Sequence, residues 1–360
     1  MKKGLKVLAG VMGAIGVWAG ASYGVVRTSL GSIFGRTSLL KYTTGLRFSD
    51  FEAKDPARYT RKPVQFPSGD LMLQGYLYGE DRGKGLILFS HGIFAGHECY
   101  MAGIIEMVDR GYQVFGFDNT GCCESPGKDS RGLPQGVLDL SAALDYVESD
   151  PELSQKKILL FGHSWGGYSV CAVLNFPHRV DGVISVSGFT TPMEVTREMG
   201  KMLFGSISGT ALPMMRVELK RRFGEYADLS ALDGINNVDI PIMIMHGAGD
   251  TYVNYHGSGI INHQEKVKNP NVTFLPLDYP GRNGHNDIFL SETAKIASDE
   301  IDAKLAPLKE EYKVKEYWDL PEEVQEPIFR DVDRFVTGAP NKELFDIVDR
   351  FYSGIEGPLI

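Results

Sequence analysis

Residues 158–167 read Ile-Leu-Leu-Phe-Gly-His-Ser-Trp-Gly-Gly, and this decade constrains the fold more than any other part of the chain. An apolar, strand-like run from Ile158 to Phe161 ends at Gly162, and a helix-compatible stretch opens at Gly166. One serine, Ser164, stands between them with glycine two residues away on each side. A turn this sharp forces its central residue into strained backbone angles and leaves no room for bulky Cβ groups beside it. The strain lifts the hydroxyl clear of the strand end, where a base and a substrate can reach it.

The rest of the chain supplies a rhythm to match. Val64–Phe66 and Leu71–Tyr78 read as a hairpin around Pro67-Ser68-Gly69-Asp70. Leu86–Ser90, Val114–Asp118, Ile158–Phe161, Val180–Val186, Ile240–Met245 and Val272–Leu277 read as further strands. Helical spacing is expected over Glu98–Arg110, Leu133–Glu148, Gly166–Asn175, His256–Lys268 and Glu292–Leu305. Strands alternating with helices of this length imply an α/β fold, a mostly parallel sheet of about eight strands covered on both faces. Two pieces break the rhythm. Residues 189–236 form a long excursion carrying Met193, Met199, Met202, Leu203, Phe204, Leu212, Met214 and Met215, and residues 306–360 form an acidic helical extension.

Composition bounds the partners. A net charge of −9 argues against nucleic acid. Residues 27–62 nevertheless hold eight basic side chains (Arg27, Arg36, Lys41, Arg47, Lys54, Arg58, Arg61 and Lys62), which suits either contact with anionic lipid headgroups or a solvated connector. Ahead of them, Val7–Val26 contains no charged residue and is long enough, as a helix, to cross a bilayer core of roughly 30 Å. Length favours a membrane anchor; the basic residues flanking the span are nearly balanced, and by analogy with other short N-terminal signal-anchors the large domain is expected outside the cytoplasm. The small-x-small Ala19-Gly20-Ala21 gives the alternative, a cleaved signal peptide and a secreted protein. Cys122 and Cys123 are adjacent and cannot pair without severe strain. A metal site from His97, Cys99 and Cys122 matches no standard ligand spacing.

The elbow, the strand rhythm and the chain order of polar residues together resemble the α/β-hydrolase superfamily over residues 63–305, closest to its monoglyceride lipase and serine aminopeptidase branch. The preceding segments are then an anchor at 1–26 and a basic connector at 27–62, with 189–236 a cap insertion. That family orders its triad nucleophile, acid, histidine. With Ser164 as nucleophile, six aspartates could serve as acid: Asp181, Asp228, Asp233, Asp239, Asp250 and Asp278. Asp250 follows the carboxyl end of a parallel strand, where catalytic groups gather, whereas Asp239 precedes that strand. Asp278 also follows a strand but lies close before the histidine loop. Of His256, His263 and His285, the last sits in a glycine-containing loop able to fold back on the serine, and it is the expected base. The resemblance places the oxyanion donors at the amides of Trp165 and Ile93, the latter in Ser90-His91-Gly92-Ile93-Phe94. It gives His91 and His163 non-catalytic roles and makes Asp118 part of the site wall.

The expected activity is hydrolysis of an ester, thioester or amide through an acyl-enzyme, with no metal and no organic cofactor. The substrate would be a small-molecule or lipid ester, or a small peptide if the chain is aminopeptidase-like. An inactive, membrane-tethered binding module is the rival from another class. Sequence leaves the oligomeric state open.

Overall fold

The computed structural model describes residues 23–24, 26–28, 31 and 33–356. Eight strands form one sheet in the order β1-β2-β4-β3-β5-β6-β7-β8. They are β1 (Arg61–Ser68), β2 (Leu71–Tyr78), β3 (Leu86–Ser90), β4 (Gln113–Phe117), β5 (Ile158–His163), β6 (Gly182–Val186), β7 (Ile242–Gly247) and β8 (Val272–Leu277). β1 and β2 are an antiparallel hairpin, β2 meets β4 antiparallel, and every pairing from β4 through β8 is parallel.

The central strands are apolar throughout because both faces are covered. Side chains alternate between faces along a strand. Leu86, Leu88, Ile158, Leu160, Val183, Ile242 and Ile244 pack into one core. Ile87, Phe89, Leu159, Phe161, Ile184, Met243 and Met245 pack into the other. The amphipathic terminal helix Lys342–Ser353 closes this second face with Leu344, Phe345, Val348 and Tyr352, all buried. Tyr352 donates its hydroxyl proton to the Leu160 carbonyl in β5, at 2.6 Å. The helix begun at Glu292 runs on to Tyr312, so it crosses the boundary expected at 305.

The region expected as a basic connector is a docked strap. Arg36 donates to the carbonyls of Cys123 (2.6 Å), Ser125 (2.8 Å) and Gly127 (3.1 Å). Lys41 pairs with Glu322, Arg58 with Asp109, Arg61 with Glu98 and Lys62 with Glu80. Arg47 donates to the Leu40 carbonyl. Four of these eight basic side chains are therefore paired with carboxylates within the protein, and Arg36 and Arg47 are held by main-chain carbonyls. Tyr42 and Tyr317 both pack against the Phe329 ring, and the Tyr317 hydroxyl donates to the Tyr42 carbonyl, so strap and C-terminal extension share a small core.

Most of the apolar span Val7–Val26 lies outside the described residues. Of its last residues, Tyr23 donates to Glu218 in the cap at 2.6 Å and Val26 is buried in the first core. Among the described residues no helix is long and apolar enough to cross a membrane. The helix expected at His256–Lys268 is also absent; only a 3₁₀ segment, Ile260–Lys266, forms there, with non-helical angles at His263. Gly257 and Gly259 break the periodic stretch, and a Cβ on Gly257 would lie 1.8 Å from the Glu198 carboxylate.

Candidate active site

The carboxyl ends of β3, β5, β7 and β8 converge on one crevice, where open parallel sheets collect ligands. Ser164 follows β5 at φ 56° and ψ −114°, outside the usual regions for a residue with a side chain. Such strain costs about 1–3 kcal/mol and persists only where its surroundings impose it. Here the Ser164 amide donates to the Val186 carbonyl of β6 at 2.9 Å, and the Ser164 carbonyl accepts from Tyr168 at 3.0 Å. The flanking glycines are obligatory. A Cβ on Gly162 would sit 2.2 Å from the Gly166 carbonyl oxygen, and one on Gly166 would sit 1.9 Å from that of Ser90.

Asp250 and His285 meet at this end of the sheet. His285 Nδ1–H donates to Asp250 Oδ2 at 2.7 Å, which leaves Nε2 as the acceptor. Asp250 Oδ1 accepts from the amides of Tyr252 (2.9 Å) and Val253 (3.0 Å), so the carboxylate is held on both sides. Burial pushes its pKa up, but the hydrogen bonds and charges of His246 and His285 outweigh this and hold it well below the usual carboxylate range. Asp278, the other aspartate that follows a strand, accepts from Asn283 at 2.6 Å. Asn283 in turn accepts from the Gly249 amide at 2.8 Å, which folds the histidine loop against the turn carrying Asp250. Among the described residues, Ser164 Oγ has no hydrogen-bond partner, so its link to His285 is open. Free enzymes commonly close such links only around substrate.

The two expected oxyanion amides, Ile93 and Trp165, likewise donate to no partner among the described residues. Trp165 opens the helix Trp165–Ala172, whose first-turn N–H groups have no acceptors within the helix. The loop carrying Ile93 is held by His91, which is buried. Its Nδ1–H donates to the Gly92 carbonyl at 2.7 Å and its Nε2 accepts the Asn119 amide at 3.0 Å. Burial lowers the His91 pKa, and this neutral ring orders the loop. Asp118, expected in the site wall, is buried and accepts from His97 Nδ1 at 2.8 Å and from the Glu124 amide at 3.1 Å.

Two features escaped the sequence reading. His246, inside β7, also faces Asp250 Oδ2 at 3.2 Å while donating to the Val253 carbonyl at 2.9 Å. Tyr100 and His163 bond each other beneath the site. A buried polar side chain within an apolar strand was the available signal for His246, and it looked like core. The cysteines do not join the chemistry: burial pushes the Cys122 thiol up to about 12 and raises Cys123 as well. His97 is engaged by Asp118 and Tyr78, and it forms no ligand cluster with Cys99 and Cys122 among the described residues.

The excursion expected as a cap comprises helices Pro192–Phe204, Leu212–Phe223 and Ala231–Asn236. Its methionines mostly pack inward: Met199, Met214 and Met215 lie on the first core and Met193 joins a smaller cluster, while Met202 is exposed. Glu198 spans from the cap to the segment after Asp250, accepting from Ser258 Oγ and the Asn254 amide. Glu194 is bonded by Thr190. A cavity of about 510 Å³ touches Ile93, Tyr100, Asn286 and Phe289, but neither Ser164 nor His285 lines it.

Residues 85–206 match the family model described as the alpha/beta hydrolase fold. Over that segment the chain is similar to the α/β-hydrolase superfamily. It is 27% identical over 240 residues to the quorum-quenching protein AidA of Acinetobacter baumannii, covering 61% of this chain and 72% of that protein. It is 24% identical over 220 residues to the α/β-hydrolase domain-containing protein WAV2 of Arabidopsis thaliana, covering 60% of this chain and 68% of that one. In fold it resembles an esterase of Pyrococcus furiosus, with TM-score 0.54 at 17% identity over 77% of this chain and 98% of the other. An α/β hydrolase of Vibrio vulnificus is similar at TM-score 0.54 and 16% identity, over 78% and 93%. At these identities the solved structures speak to fold alone.

Proposed function

We propose that the protein is a serine hydrolase that cleaves carboxylic esters through an acyl-enzyme. The observation that carries this reading is the 2.7 Å contact between His285 and Asp250 beside a serine held in strained geometry at the end of β5. His285 Nε2 takes the Ser164 proton as Oγ attacks the ester carbonyl. The Ile93 and Trp165 amides receive the oxyanion, each worth about 3–4 kcal/mol by analogy with removal of one such donor. The protonated His285, its charge balanced by Asp250, gives its proton to the leaving alcohol. Water activated by the same nitrogen then releases the acid.

A small-molecule ester is favoured over a peptide. An aminopeptidase needs an acid facing the substrate amine, and the cap acids Glu194 and Glu198 are both engaged by protein partners. The inactive-module reading is disfavoured by the Asp250–His285 contact kept beside the strained Ser164, which such a module would have no reason to retain. We also propose that the apolar stretch beginning at Val7 tethers the enzyme outside the cytoplasm and ends before Tyr23, which bonds to the cap; protease accessibility in intact cells tests this. The enzymatic proposal is tested with p-nitrophenyl esters of rising acyl length beside aminoacyl p-nitroanilides. Ester turnover abolished by Ser164→Ala is expected, and turnover of the anilides alone would reverse the substrate assignment.

A further inference from the structure

Beneath the triad, one unbroken run of hydrogen bonds joins two loops that the sheet itself keeps apart. The loop with Ile93 follows β3 and the loop with His285 follows β8, and β5, β6 and β7 lie between those strands. No ladder can tie them together. Instead the Gly92 amide donates to the Tyr100 hydroxyl oxygen at 3.1 Å, and Tyr100 donates its proton to His163 Nδ1 at 2.8 Å. His163 Nε2–H then donates to the main-chain carbonyl of His285 at 2.9 Å. The Phe289 ring closes the side of this run, edge-on to His163 at 4.9 Å between centroids.

Only one proton arrangement satisfies every member. A main-chain carbonyl can only accept, so His163 Nε2 must carry hydrogen. The Tyr100 oxygen already accepts from Gly92, so its own proton must go to His163 Nδ1. His163 is therefore neutral, and fully buried. A second proton would leave the phenol hydrogen without an acceptor. It would also put a cation beside His285, whose ring centroid is 4.7 Å away and which must itself become cationic during turnover. The charged or titratable groups facing His163 are His285, Asp250 and His246, with Tyr100 as its bonded neighbour. Burial first, then the neighbouring His285, keep its pKa well below the ordinary value.

We propose that Tyr100 and His163 are positioning residues, a neutral relay that fixes the spacing between the oxyanion loop and the histidine that serves as base. The relay also occupies the Gly92 amide, which leaves the Ile93 amide as the donor from that loop. This inference rests on the assignment of Ser164, Asp250 and His285 as the triad. Small misplacements of reacting groups cost up to about a hundredfold in rate.

Tyr100→Phe removes a single oxygen and keeps the ring. The expected result is a fall in kcat of roughly ten- to a hundredfold on a p-nitrophenyl ester with KM changed by less than about twofold. His163→Gln, which keeps one donor and one acceptor, should retain more kcat than His163→Phe. ¹⁵N spectra of the histidines should show a neutral Nε2–H tautomer for His163 at neutral pH, and the Nδ1 signal should shift towards that of a free acceptor in Tyr100→Phe. Wild-type kcat in Tyr100→Phe, or a His163 that is cationic at neutral pH, would overturn the relay while leaving the triad intact. A wild-type protein that neither turns over esters nor reacts with a fluorophosphonate overturns both.

Discussion

Replacing Asp250 with asparagine tests the base in a way the structure specifies atom by atom. Oδ1 of Asp250 receives two main-chain N–H groups, from Tyr252 at 2.9 Å and Val253 at 3.0 Å. In Asp250→Asn these donors force the carboxamide oxygen into that position. The NH₂ group must then occupy the place of Oδ2, facing His285 Nδ1 at 2.7 Å and His246 Nε2 at 3.2 Å. His246 cannot relieve the conflict, because its Nε2 hydrogen is committed to the Val253 carbonyl. His285 resolves it by switching tautomer, which puts hydrogen on Nε2 and leaves nothing to accept the serine proton. The corresponding change in Ser-His-Asp proteases lowers kcat about 10⁴-fold by the same tautomer error, about 5 kcal/mol of barrier. We expect a loss of this order for ester hydrolysis, with KM little changed because Asp250 lies behind His285, away from the nucleophile. Steady-state kinetics on a p-nitrophenyl ester, with thermal unfolding as the control for folding, gives the answer. A variant retaining kcat within tenfold of wild type would refute Asp250 as the orienting acid.

Other consequences are as direct. Gly166→Ala places a methyl 1.9 Å from the Ser90 carbonyl oxygen, so the elbow must shift, and we expect an insoluble protein or one with esterase activity reduced more than about a hundredfold. Deleting residues 342–360 uncovers Leu344, Phe345, Val348 and Tyr352. At roughly 1.5–3 kcal/mol for each buried side chain, that burial rivals the whole stability of a domain, about 5–15 kcal/mol, so soluble expression should be lost. Asp118 supplies a pH signature. Burial would raise its pKa, but the charge and hydrogen bond of His97 bring it down to about 2 from 3.8. Because the folded value is the lower one, its stabilisation is complete above the unfolded pKa and lost as pH falls through the folded one. Asp118→Asn should therefore lower the urea midpoint at pH 7, and its difference from wild type should vanish towards pH 2.

The sheet was legible because its central strands are buried on both faces and write themselves as short apolar runs. The hairpin at Gly69-Asp70 and the elbow at Ser164 carried their own turn chemistry. The Asp250–His285 pairing could be placed because strand ends, not sequence distance, decide which carboxylate reaches the crevice. What could not be read depends on contacts between distant segments. Arg36 looked like one charge in a basic tract, and its three carbonyl partners lie some ninety residues onward. Tyr100 sat in a helical pattern, yet the helix starts one residue later, at Met101, which turns the phenol towards His163. His256–Lys268 kept helical spacing on paper, but Gly257 and Gly259 and the bond from Ser258 to Glu198 set a different path. The methionines of 189–236 have no sequence signal that separates lining a pocket from packing onto a core, and most of them pack.

The central claim is that Ser164 is a nucleophile activated by His285, and an active-site-directed fluorophosphonate tests it most directly. Peptide mapping after labelling should place one phosphonyl group on Ser164. Labelling should be abolished in Ser164→Ala and slowed by orders of magnitude in His285→Ala, with both variants folded. Undiminished labelling of Ser164→Ala, or a phosphonyl group mapped to another residue, would contradict the account.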